Sequence, residues 1–499
     1  MAFLKCQRLM KVLEKLKPAS VFGFFEEISA IPRGSYNNTA ISNYLADFAK
    51  ERNLKYVQDE AQNVLIYKPA SKGYENAPTI ILQGHMDMVC EKVEGCTKDM
   101  SKEGIELVVD GDWLTAKDTT LGADNGIAVA IMMAILDDNT LLHPALECIF
   151  TTDEETGLEG ATAFDASLLE GRTMINLDSE DEGIITVGCA GGVTANVLLP
   201  YETETAPAGF MAYSLVVDGL RGGHSGVDIN LERANSNILM GRLLEFIRNK
   251  AKISLSDIAG GRADNVICKR TEAVILFSPE ELSTVEDAVL TFRKIISSEY
   301  QTSDPEITIT LKECNNSCKA EAVLTSKSLE TLVSYLLLTP YGVQNMSPNI
   351  QGLVETSLNL GALCLENGVI NGLYSLRSSV ETRRDLMEAK LEKLAGLLGG
   401  KVEFTLPYPA WEYKVDSPIR DLCAKTFTEL YNREPVIEAI HAGLECGLFA
   451  GKLGEEFDAT SIGPQMHNVH TPDEVLSISS TERFYKHLTT ILERAIELK

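Results

Sequence analysis

In the first 180 residues, one strand-like run after another ends on an acidic or His-containing motif. This recurring placement constrains the fold more than any other feature of the chain. The motifs carry His85 and Asp87 (G-H-M-D-M-V), Asp124 (L-G-A-D-N-G), Glu154 and Glu155 (T-T-D-E-E-T-G) and Asp178 (N-L-D-S-E). A further motif, H-N-V-H-T-P-D-E with His470, lies near the C-terminus. Strand-like segments at 63–67, 78–83, 105–109, 146–151 and 174–177 are interspersed with helical patterns at 37–53 and 126–136. Apolar strands alternating with helices predict an α/β fold, with a central, mostly parallel sheet flanked by helices. In such sheets, sites form at the carboxyl ends of strands, where the loops converge.

A chain of 499 residues exceeds one ordinary hydrophobic core, so two domains are expected. The character changes after Gly188-Cys189-Ala190-Gly191-Gly192. Strands are expected at 213–217, 273–277, 307–311 and 373–380, with amphipathic helices at 233–249 and 285–300. V-E-T-S-L-N-L-G (354–361) and Y-S-L-R-S-S-V-E (374–381) read as neighbouring antiparallel strands. These segments are expected to form a second α/β domain inserted into the first, 207–402, a candidate lid and substrate-binding domain. The catalytic domain is then discontinuous, 1–206 and 403–499, because His470 has to rejoin the other motifs.

The net charge of −27 disfavours nucleic acid and anionic membrane surfaces as partners, since both require clustered positive charge. No apolar run approaches the ~20 residues that span a bilayer. The N-terminal M-A-F-L-K-C-Q-R-L-M-K-V-L-E-K-L has charges among its apolar positions and reads as an amphipathic helix, not a signal peptide. The 11 cysteines show no metal-type spacing, with Cys314 and Cys318 the nearest to a pair, so reduced thiols and a cytoplasmic location are expected.

Two imidazoles with several carboxylates, and no cysteine required, form the ligand mix of a paired zinc or manganese site. His85 and Asp87 stand two apart, so in extended backbone both side chains point the same way. One could bind metal while the other orients it. Asp124-Asn125-Gly126 also fits a tight turn. The adjacent carboxylates Glu154 and Glu155 repel each other unless a cation or a proton intervenes. One then suits a metal and the other suits proton transfer from a bound water. Of the seven histidines, His470 and His224 (in G-G-H-S-G) stand out beyond His85. His467 competes with His470 as a ligand, while His143 and His487 read as structural or solvent-facing.

Taken in order, these motifs resemble the aminoacylase/carboxypeptidase clan of co-catalytic zinc peptidases. Within it they are most similar to the aminoacyl-histidine dipeptidase family, also called the cytosol non-specific dipeptidases. The resemblance rests on L-Q-G-H-M-D-M-V, T-L-G-A-D-N-G-I, T-T-D-E-E-T-G-L-E-G-A, I-N-L-D-S-E, L-R-G-G-H-S-G-V-D-I, A-I-H-A-G-L-E-C-G and I-G-P-Q-M-H-N-V-H-T-P-D-E, which run from 82 to 474. It implies two divalent ions, zinc first, with manganese or cobalt as alternatives. One would lie on His85, Asp124 and Asp178, the other on Asp124, Glu155 and His470, with Asp124 bridging. Glu154 would be the general base and Asp87 the carboxylate behind His85. The resemblance also implies a cis peptide after Asp124.

The expected activity is hydrolysis of unblocked dipeptides, Xaa-His included. His224 is expected to meet the scissile carbonyl when the domains close, or from the second subunit of a homodimer. Arg377 (in L-R-S-S) is expected to hold the substrate carboxylate. An N-acyl amino acid deacylase or a carboxypeptidase on the same scaffold is the alternative. A binding protein that has lost its chemistry is disfavoured by the intact Glu154-Glu155 pair.

Overall fold

The computed structural model describes residues 12–314 and 321–498. Most of the expected N-terminal helix, and Cys318, fall outside these residues. Two compact units divide the chain: Met1–Gly188 with Trp411–Ala439 and Leu444–Lys499, and Cys189–Ala410 with Ile440–Gly443.

An eight-stranded sheet organises the first unit. Its order is Lys55–Gln58, Val64–Lys68, Leu146–Thr151, Ile80–His85, Thr173–Asn176, Asp458–Ser461, Ile184–Cys189 and Val436–Ile440. The α/β class holds, but the parallel part is confined to the middle four strands, from Leu146–Thr151 to Asp458–Ser461. Antiparallel pairs flank them on both sides. The reason lies in the connections. Lys55–Gln58 returns to Val64–Lys68 through a tight link closed by Asp59 and Asn63, which is too short for the crossover that parallel pairing requires.

Ile80–His85 and Leu146–Thr151 are buried at every position, as strands covered on both faces must be. Helix Ala123–Asp137 is equally apolar; it lies along Ile80–His85 and packs on helix Ala19–Ser29. Gly84 permits that approach, because a Cβ there would meet Asn125 Oδ1 and come within 2.9 Å of the Ala128 Cβ.

The strand expected at 105–109 forms at Leu107–Asp110, but outside the main sheet. It joins Trp113–Ala116, Val475–Ser477 and Met466–His467 in a small antiparallel sheet. The hairpin of the last two strands carries the loop with His470.

A nine-stranded sheet organises the second unit, and every pairing in it is antiparallel. Strands Val354–Glu366 and Val369–Ser378 are neighbours, with Ser357 opposite Arg377. Helices Ser236–Arg248, Leu282–Glu299, Ser326–Leu338 and Glu381–Leu397 contribute to a core that includes Leu243, Phe277, Phe292, Leu332 and Leu391. The unit begins before 207 and ends after 402, because Gly191–Pro200 pairs with both Val369–Ser378 and Lys401–Tyr408.

Cys314 is disulfide-bonded, against the expectation of reduced thiols throughout. Cys90, Cys148 and Cys423 are free. Among the described residues, no helix is long and apolar enough to cross a membrane.

Candidate metal centre

The carboxyl ends of three parallel strands bring most of the site together. His85 is the last residue of Ile80–His85, Glu154 and Glu155 follow Leu146–Thr151, and Asp178 follows Thr173–Asn176. Asp124 enters from the first turn of the helix Ala123–Asp137. His470, at φ 64°, comes from its hairpin loop.

Asp124 stands between two imidazoles, its Oδ1 at 3.1 Å from His85 Nε2 and its Oδ2 at 3.0 Å from His470 Nε2. His85 Nε2 also lies 3.5 Å from Asp178 Oδ1, and His470 Nε2 lies 3.0 Å from Glu155 Oε2. Ligand atoms of His85, Asp124 and Glu155 fall within 4.8 Å of one another. On the far side of the His85 ring, Nδ1 faces Asp87 Oδ1 at 3.3 Å, an ion-pair distance without hydrogen-bond alignment. His467 takes no part; its ring tilts against Trp113 with centroids 5.3 Å apart.

Buried polar groups fix this arrangement. The Glu474 carboxylate accepts the backbone N–H groups of Leu121, Gly122, Ala123 and Asp124 at 2.8–3.3 Å. It thereby holds the turn that presents Asp124, whose peptide to Asn125 is cis. The fully buried Arg33 guanidinium donates to the carbonyls of Met86, Asp87 and Gly122. Asp87 in turn accepts the Ser35 hydroxyl and the Glu154 N–H. Arg33 and Glu474 carry no signal of their own in the sequence: Pro32-Arg33-Gly34 reads as a turn, and Glu474 as the end of the His470 motif.

The electrostatics fit a bound cation. Burial, with Asp124 and Glu155 adding to it and His85 opposing, raises Asp178 to about 6. Burial raises Glu154 well above the carboxylate range, with Asp178, Glu445 and Glu155 adding to the shift. Glu180 and Glu445 reach about 7, again chiefly through burial. For His85 burial opposes charge, but Asp178, Asp124 and Asp87 outweigh it and raise the imidazole. Hydrogen bonds to Asp124 and Glu155 raise His470 to about 11. Carboxylates this crowded are resolved by protons or by positive charge, and oxygens of Asp178 and Glu155 lie buried without hydrogen-bond partners. Imidazole nitrogens with carboxylate oxygens are the donor set of a divalent transition metal.

His224 and Arg377 belong to the second unit. His224 Nδ1 accepts the N–H groups of Gly226 and Val227 at 3.2 and 3.3 Å. The ring proton of the neutral imidazole is therefore on Nε2. Burial, followed by Arg377, lowers the His224 pKa and favours that neutral form. Arg377 donates to the Tyr408 hydroxyl at 3.1 Å, and its Nε is buried without a partner. His441 bonds Ser357 Oγ through Nε2 at 2.7 Å; burial, then Arg377 and His224, lower it to about 3. His441 and Tyr408 went unrecognised in the sequence, although His441 lies inside A-I-H-A-G-L-E-C-G; nothing local ties either residue to Arg377.

With this geometry in hand, the class is defined. Residues 81–496 match the model of peptidase family M20/M25/M40, and the chain belongs to that family. It is a peptidase by family, and it carries a cluster of three carboxylates and two imidazoles. Over 484 residues it is 36% identical to the cytosol non-specific dipeptidase of Escherichia coli K12, covering 97% of this chain and 99% of the relative. The crystal structure of aminoacylhistidine dipeptidase from Vibrio alginolyticus superimposes with a TM-score of 0.91 at 34% identity, covering 97% and 98% of the two chains. Aminopeptidase PepT from Bacillus cereus, at 15% identity, TM-score 0.55 and coverage of 96% and 99%, shares the fold.

Proposed function

We propose that this protein is a metal-dependent dipeptidase that hydrolyses unblocked dipeptides, Xaa-His among them. The observation that carries the reading is Asp124 set between the His85 and His470 imidazoles, with Asp178 and Glu155 completing the two sides. His85, Asp124 and Asp178 would hold one divalent ion, and Asp124, Glu155 and His470 the other, zinc being the first candidate and manganese or cobalt the alternatives. When bound, such ions would acidify a water and polarise a carbonyl oxygen.

The side chains supply the remaining steps. A Glu154 oxygen takes the proton of the attacking water and returns it to the amide nitrogen as the C–N bond breaks. Asp87 orients the His85 ring from the Nδ1 side. His224, with its Nε2 proton free to donate, is assigned to the oxyanion that develops on the carbonyl. Arg377 is assigned to the substrate's terminal carboxylate, which a guanidinium matches in a bidentate pair. The inserted unit would thus act as a substrate-binding lid. A homodimer in the cytoplasm is the proposed setting.

Turnover of paired free and N-acetylated dipeptides, each with zinc, manganese or cobalt, tests the proposal. Cleavage of the free dipeptides alone is expected. Preference for the acetylated members would move the chain to the deacylase or carboxypeptidase reading. Full activity in protein shown to be metal-free would overturn the metal-based chemistry.

A further inference from the structure

Beneath the metal centre runs a row of buried polar side chains for which the reaction has no direct use. Thr151, Gln83, Asn176 and Ser461 come from four adjacent parallel strands, and all are at most 1% exposed. Gln83 Nε2 donates to Thr151 Oγ1 at 3.2 Å, and Asn176 Nδ2 donates to Gln83 Oε1 at 2.5 Å. Ser461 Oγ donates to Asn176 Oδ1, which also accepts the Asp178 N–H at 3.3 Å. One end of the row closes on Glu445, whose Oε2 accepts Gln83 Nε2 at 2.5 Å and Thr151 Oγ1 at 2.9 Å. Glu445 opens the helix Glu445–Leu453 and is itself 1% exposed.

The spacing ties this row to the metal ligands. Gln83 precedes His85 by two residues in one strand, so the two side chains share a face. Asn176 stands two residues before Asp178, and Thr151 pairs with His85 across the strands. Each cross-strand hydrogen bond therefore restrains the backbone from which a proposed ligand projects. Such a row is stable only if every member has a partner, since an unpaired buried donor is costly. Glu445 is the shared acceptor for two of them.

We infer that Glu445 is a positioning residue for the metal centre: by accepting from Gln83 and Thr151, it locks the hydrogen-bonded row that sets His85 and Asp178 in register. The inference rests on the metal-binding reading above and goes beyond it by giving a function to a buried carboxylate outside the proposed ligand set. Groups that orient metal ligands typically change metal affinity by about 10–100-fold when removed.

The test measures zinc affinity by competition with a chromophoric chelator, alongside melting temperature, on full-length protein. Glu445→Leu should weaken zinc binding about 10–100-fold. Glu445→Gln should stay within about threefold of wild type, because an amide oxygen still accepts both donors. Glu147→Gln serves as a control: this carboxylate lies in the strand of Thr151 but accepts only the N–H groups of Glu170 and Gly171. It should lower the melting temperature without changing zinc affinity. If Glu445→Leu does not fold, Thr151→Val decides, with weakened zinc binding expected and unchanged binding overturning the inference. A folded Glu445→Leu with wild-type affinity overturns it too, as does Glu445→Gln weakening as severely as Glu445→Leu. Absence of zinc binding in the wild type would instead overturn the metal centre itself, and the row's role with it.

Discussion

The two sheets of this molecule solve different problems. In the first unit, four adjacent strands run parallel, so their carboxyl ends lie at one edge and deliver His85, Glu154, Glu155 and Asp178 to one place. In the second unit every strand reverses its neighbour, and no edge collects strand ends of one kind. Its polar cluster is gathered from a two-residue strand (His224, in Gly223–His224), the end of a long strand (Arg377), the end of another (Tyr408) and the short return segment (His441). Parallel strands suit a rigid centre in which like charges are forced together.

The sharpest way to break this contrast is Glu154→Ala. A positioned acid–base group contributes about 10²–10⁴ in rate, so kcat should fall by that order while both metals stay bound. Glu155→Ala should instead lower the occupancy of one metal. Elemental analysis with kinetics checks both variants, and the reverse pattern would swap the roles of the pair.

His224→Ala probes the other unit. Losing a single oxyanion donor costs about 10²–10³ in kcat, with metal content unchanged. The same ring caps the turn at Gly226 and Val227, so some stability should also be lost. Near-normal kcat with a lowered melting temperature would leave His224 as a turn cap alone.

Acid stability compares the units through their buried histidines. Burial lowers His487 in the first unit to about 4, its Nε2–H donating to the Cys423 carbonyl at 2.9 Å. The fold therefore favours the neutral ring. This contribution is complete above the unfolded pKa of ~6.5 and is lost as pH falls toward 4, up to about 3 kcal/mol. His441 in the second unit should behave alike, its loss extending toward pH 3. Denaturation midpoints from pH 7 to 4 should fall less steeply for His487→Gln than for wild type; an unchanged slope would contradict the shift.

The smallest effect is expected at Arg377. Arg377→Ala should raise KM about 10–100-fold for free dipeptides, in keeping with a charged hydrogen bond worth ~1.5–3 kcal/mol. Dipeptide amides should be little affected. Equal losses on both substrates would remove the carboxylate assignment.

Much of the first unit was legible because its chemistry-bearing residues sit in local motifs. A charged residue placed directly after an apolar strand is visible in a short window, and strand ends hold such residues where loops converge. His85, Asp124, Glu155, Asp178 and His470 were candidates from short motifs, with Asp178 and the choice of His470 over His467 resting on the family resemblance, and the structure draws these five together.

The remainder required tertiary structure. Whether a strand runs parallel to its neighbour depends on partners far along the chain, so the antiparallel flanks and the diversion of Leu107–Asp110 into a second sheet could not be read from periodicity. The same holds for the division at Cys189 and Ala410, which follows the pairing of Gly191–Pro200 with two later strands. Arg33, Glu445 and Glu474 look like ordinary charged residues until folding buries them against carbonyls, amide side chains and backbone N–H groups up to 362 residues away. The candidate ligands lie in short motifs; their support is a property of buried partners that only the folded chain brings within hydrogen-bonding distance.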